Sequence, residues 1–172
     1  MLPNKYGRTL LAVAIIAATQ WLAIDLAHAQ ASNGSSAHPA RQAENAYMDW
    51  QRAKSRTPTD SEALAIAALR ALMGVPPERA LPLIERTLRL QRSELVKMRA
   101  MFVLGQINSP AARTLLLKNA QELTGNLQLE AIRSIGIGGD TASIATLPLL
   151  YENGNVAVQG AVLQALLIAD SK

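Results

Sequence analysis

The chain has 172 residues, the length of one domain; 49% are apolar, 3% aromatic and 17% charged. An Ala/Leu-rich, aromatic-poor composition predicts helices, because strands consume β-branched and aromatic residues, and it excludes a disordered polyampholyte. Bases outnumber acids 17 to 13, and the absence of Cys excludes disulfides, thiolate metal sites and cysteine nucleophiles.

In chain order, Lys5 and Arg8 precede an apolar run from Leu10 to Ala18, and Ala27-His28-Ala29 supplies the small-x-small pattern that signal peptidase requires. Residues 1–29 are expected to be a secretory signal peptide cleaved between Ala29 and Gln30, which implies a periplasmic protein. Leu10 to Leu26 is at the lower limit of spanning length and carries Thr19, Gln20 and Asp25, so no stable membrane span is expected after cleavage. Loss of Lys5, Arg8 and Asp25 leaves 15 bases and 12 acids. Export without cysteine suits a bacterial periplasmic domain whose core is large enough to fold unaided. Residues 30–39 form a small polar linker. His38 sits in it as a solvated residue, and the sequon Asn33-Gly34-Ser35 carries no weight there.

Residues 40–56 read as an amphipathic helix with Ala43, Ala46, Tyr47, Trp50 and Ala53 on one stripe. From residue 57 a period of 31 governs the chain. Gly74, Gly105 and Gly136 recur at that interval, preceded by Met73, Leu104 and Ile135, by Leu69, Ala100 and Ala131, and by Ala65, Val96 and Leu127. A further step gives Val158, Val162 and Leu166, with Leu167 in place of glycine. Apolar residues at i, i+4 and i+8 closed by Gly predict a helix with a buried stripe and a left-handed stop. The intervening segments are helical too. Thr59 and Glu62 spell a capping box, Pro77-Glu78 opens a helix to about Gln91, and Ser109-Pro110 and Asp140-Thr141 open two more. Pro82 and Pro148 are expected to bend the helices containing them.

The motif Val96-Lys97-Met98-Arg99-Ala100, ending at Leu104-Gly105, and its echo from Leu127 to Gly136 resemble the short bacterial HEAT repeats of bilin-lyase-like proteins. The resemblance covers about residues 60–170, although Gln128 and Gln159 replace the family's basic residue. It implies an all-α fold, a right-handed α-solenoid of HEAT-like helix pairs over residues 40–172. The helix 40–56 would cap it, with Trp50 sealing the first repeat. In such solenoids the second helix of each pair lines the concave surface, which would place Arg79, Arg86 and Arg89 inside the groove.

Chemistry is sparse. After cleavage the one His lies in the linker, so no nucleophile–base pair can be assembled. No metal spacing or phosphate loop is present, Asp140 reads as a helix cap, and Glu94 and Glu130 read as acids at helix starts. The expectation is a non-enzyme without cofactors. Residues 30–100 hold 11 bases and 7 acids, residues 101–172 hold 4 and 5, and Arg79, Arg86 and Arg89 lie opposite the stripe Ala80, Leu81, Ile84 and Leu88. This points to a scaffold or adaptor that binds an acidic protein partner. Nucleic acid is disfavoured by the expected compartment, and the basic face is modest and lacks interleaved aromatics. A bilin-lyase-like enzyme and an envelope lipid- or glycan-binding protein are the alternatives. The last predicted helix, Asn155 to about Ala169, ends without a following helix. Leu163, Leu167 and Ile168 are therefore expected to face water or to be covered, for instance by a second copy.

Overall fold

The computed structural model describes residues 39–171. The expected signal peptide, its expected cleavage site between Ala29 and Gln30, and residues 30–38 of the expected linker, His38 included, lie outside the described residues, whereas Pro39, expected to end the linker, opens α1. The elements are α1 (Pro39–Ser55), α2 (Asp60–Ala71) with a 3-10 turn (Leu72–Gly74), α3 (Pro77–Leu90), α4 (Glu94–Gln106), α5 (Pro110–Glu122), α6 (Gly125–Gly138), α7 (Thr141–Ile144), α8 (Leu147–Asn153) and α9 (Val156–Asp170). The described residues contain no strand.

Helix starts follow local chemistry. Thr59 caps α2 through its side chain, while its own N–H donates to Glu62 at 2.9 Å, completing the capping box. The N-caps of α4, α6 and α9 are Ser93, Thr124 and Asn155, which keep the 31-residue interval. Asp140 caps α7, its carboxylate accepting the Ser143 N–H at 2.8 Å. The segment 141–153 does not form one bent helix. It breaks into α7 and α8, because Pro148 has no N–H to offer the Ile144 carbonyl and instead sits at the start of α8.

Two layers result. α2, α4, α6 and α9 pack successively side by side, and α3, α5 and α8 cover them on one face. The periodic stripe is the core: Leu69, Ala100, Ala131 and Val162 are all buried, as are Val96, Val158, Leu104 and Ile135. The first copy is looser, with Met73 exposed.

The recurrent glycines have a different role from the one their pattern suggested. Gly105 and Gly136 lie inside α4 and α6, in right-handed conformation, and the left-handed stop of α6 is Gly139 at φ 69°. What Gly105 and Gly136 permit is close crossing. A Cβ on Gly105 would lie 2.8 Å from the Ser134 carbonyl oxygen, and one on Gly136 would lie 2.7 Å from the Ala165 Cα. Each helix thus presses its glycine against the backbone of the next.

The position of α1 also differs from expectation. It does not cap the first repeat but packs on α9, α6 and α4. Its predicted stripe is the packed one, with Trp50 buried and Ala43, Ala46, Tyr47 and Ala53 partly so. There Trp50 and Lys54 donate to Glu130, a buried acid on α6.

Candidate functional site

Because α1 packs on α9, α6 and α4, the α2–α3 end is left open. A cleft of about 720 Å³ runs between these two helices, with Ala65, Leu69 and Leu72 along one side and Leu83 and Leu90 along the other. Leu83 is 50% and Leu90 61% exposed, so this apolar surface meets solvent. Arg86 and Arg92 line the same cleft, while Arg79 and Arg89 stand exposed elsewhere on α3 and its end. Glu78 and Glu85 are close in sequence, yet none of these four arginines has an ion pair among the described residues. The structure therefore brings Arg86 to an apolar cleft together with Arg92. It leaves Arg79 and Arg89 as outlying charges, and none of them shares the face that α1 occupies.

A second constellation fastens α1. Trp50 Nε1 donates to Glu130 Oε2 at 2.8 Å, and Lys54 Nζ donates to both carboxylate oxygens at 2.9 and 3.0 Å. Glu130 is fully buried in the middle of α6, not at a helix start as its sequence position suggested. The Lys54 ammonium and the Arg133 guanidinium lie 4.7 and 4.8 Å from the Trp50 ring centroid, and Arg99 donates to the Lys54 carbonyl at 3.4 Å. A carboxylate buried without such partners is costly, so the cations and the indole N–H make its position tenable.

A third polar cluster ties the first repeat to the second. Arg56 pairs with Glu62 (Nη1 to Oε2, 2.9 Å), and Ser93 Oγ donates to Glu62 at 2.5 Å. The Arg56 hydrogen bond, then that of Ser93, then the Thr59 N–H hold the Glu62 carboxyl well below the usual carboxylate range. At Asp140, partial burial pushes the carboxyl up, but the Ser143 hydroxyl and N–H and the charge of Arg113 outweigh it and the net shift is downward. Among the described residues no group of three or more His, Asp or Glu could hold a metal.

The α4–α5 pair, joined through the buried Ser109 and Pro110, is the regular unit of this array. Residues 96–122 match the family model of the PBS lyase HEAT-like repeat. This segment is similar to a HEAT-like repeat. The match runs from Val96 in α4 to the end of α5, and it carries fold rather than activity. No curated protein and no solved structure matches the chain.

Beyond that HEAT-like segment, α9 supplies the last periodic stripe. Leu167 is 71% exposed, but Leu163 and Ile168 are partly buried, so the uncovered patch is narrower than expected. α1, α6 and α8 all pack on α9. Leu167 occupies the register of Gly105 and Gly136. No further helix among the described residues crosses there, so the demand for glycine lapses. None of the described helices is long and apolar enough to cross a membrane.

Proposed function

We propose that this chain is an exported, non-catalytic adaptor built as a right-handed solenoid of HEAT-like helix pairs, and that it binds an acidic, amphipathic protein helix in the α2–α3 cleft. One observation carries this reading: leucines 83 and 90, half or more exposed, share a cleft with Arg86 and Arg92, which have no ion pair among the described residues. An amphipathic helix covers such a floor with its apolar stripe and sets acids against the flanking arginines, while rim charges mainly accelerate encounter. The HEAT-like match supports a helical-repeat binding module, a class that offers extended surface and little preorganised chemistry. The N-terminal pattern of Lys5, Arg8, Leu10 to Ala18 and Ala27-His28-Ala29 supports periplasmic export, and intact mass of the exported protein should place its first residue at Gln30.

Selection of displayed helical peptides on the purified chain tests the binding reading. Enriched peptides should carry leucines at i, i+4 and i+7 with Asp or Glu on the flanks. Association with the double variant Arg86→Glu, Arg92→Glu should slow about tenfold at low salt and much less at high salt. Enrichment of peptides without acids, or unchanged association with the charge-reversed chain, would remove the basis of the proposal.

A further inference from the structure

A cleft of about 180 Å³ lies between α1, α6 and α9. Its floor is made of small residues, Ala157, Gly160 and Ala161 of α9, and the rings of Tyr47 and Trp50 border it. At Gly160 an added Cβ would stand 3.6 Å from that of Ala43, in ordinary contact, so α1 and α9 run close together beside this cleft.

Three hydrogen-bond donors border this space. Arg133 makes no hydrogen bond or ion pair with any described residue, and its Nε is buried without a partner. Glu130, the nearest buried acid along α6, already has its oxygens taken by Lys54 and Trp50. Gln164 is partly buried and also lacks a partner among the described residues. The Tyr47 hydroxyl accepts from Gln51 at 2.5 Å and retains its own proton to donate. The one acid bordering the cleft is Glu44, an exposed residue. Buried donors without acceptors are uncommon in folded proteins and are satisfied when an anion arrives.

We infer that this cleft binds a small monocarboxylate with a short apolar body. The planar guanidinium of Arg133 matches a carboxylate, with Gln164 and Tyr47 as supplementary donors. The apolar body lies over the alanine and glycine floor against Trp50. An apolar cavity of roughly 150 Å³ holds a molecule the size of benzene, so this cleft suits the body of an acid of about six to nine non-hydrogen atoms. The inference is independent of the α2–α3 cleft, since the two sites share no residue.

Calorimetric titration of the full-length chain with hexanoate, 1-hexanol and acetate tests it, with Trp50 fluorescence followed in a Trp21→Phe background. Hexanoate should saturate one site and change the Trp50 emission, whereas hexanol and acetate should bind at least tenfold more weakly. Arg133→Met should lower hexanoate affinity at least tenfold, and Arg133→Lys should restore part of it. If Arg133→Met loses its helical circular dichroism, Gln164→Leu, on the solvent-accessible helix α9, decides instead with a several-fold loss. Absence of saturable hexanoate binding would overturn the inference. So would equal affinity for hexanol, which marks an apolar void only, or unchanged affinity in a folded variant.

Discussion

Replacing Gly136 with Ala isolates the close crossing of α6 and α9. In an exposed helix interior the exchange would stabilise by about 1 kcal/mol, since alanine is the better helix former. Here the new Cβ would sit 2.7 Å from the Ala165 Cα and 2.9 Å from its carbonyl carbon, where ordinary contact begins at 3.4 Å. α9 must therefore retreat by somewhat under 1 Å, and a gap of that order forfeits about a quarter to a half of the dispersion well across it. The large buried residues at this crossing include Ile132, Val158 and Val162. At roughly 2 kcal/mol of burial each, the loss is about 1.5–3 kcal/mol, or about 0.5–2 after the helix-forming gain is returned. Gly74→Ala is the internal control, because nothing lies within 4 Å of its added Cβ and its φ is not positive. That variant should gain about 0.4–1 kcal/mol. Urea unfolding followed by circular dichroism, with equal m-values, should separate the two alanine variants by about 1–3 kcal/mol. Equal stabilisation of both would refute the assignment of Gly136 to helix crossing.

Three further outcomes are expected. Because the folded Glu62 carboxyl is held below its ordinary value of 4.5, it contributes stability that is present above that pH and is lost as pH falls below it. Glu62→Gln should flatten the stability–pH curve between about pH 5 and 2, and an unchanged slope would show that its partners do not hold in solution. Lys54→Met should cost about 3 kcal/mol by leaving the buried Glu130 carboxylate with only the indole N–H, whereas adding Glu130→Gln to it should recover part of that loss; strict additivity in this cycle would mean the pair is not coupled. Leu167→Lys should leave stability within about 0.5 kcal/mol, as exposed sites do, and should abolish weak self-association in sedimentation velocity; a wild type that stays monomeric at all concentrations would rule out this end as a contact.

The helical layers were legible because their cause is local. A stripe at i, i+4 and i+8 must be buried wherever it recurs, and Leu69, Ala100, Ala131 and Val162 are. The capping box at Thr59 and the proline at the start of α5 were readable for the same reason. The glycines were not, because one residue serves both a left-handed stop and a close crossing. The distinguishing sign was what followed: Gln106 and the Ile137-Gly138 step continue their helices. α1 shows a different limit. Its stripe announced a buried face but not the surface that buries it. A signal was present in Glu130, an acid set between Leu129 and Ala131 on a helix otherwise rich in buried positions, which requires a cation from elsewhere. Lys54, one turn beyond Trp50 on an amphipathic helix, is that cation. The α2–α3 cleft stayed hidden because it exists only once α1 has gone elsewhere.

The route of α1 has a consequence for how the chain folds. A stack of repeats whose contacts join only neighbours behaves as a one-dimensional chain of units, able to nucleate anywhere and to fray from either end. The bond from Trp50 to Glu130 spans 80 positions, and Ala43 meets Gly160 further along still. α1 therefore cannot dock until α6 and α9 exist. During synthesis it must wait until α9 has emerged, and its closure pays its loop entropy late. Once docked, it joins α4, α6 and α9 in a single step, so that fraying of α9 also loosens α1. An array that would otherwise melt unit by unit from its C-terminal side is made to unfold there as one.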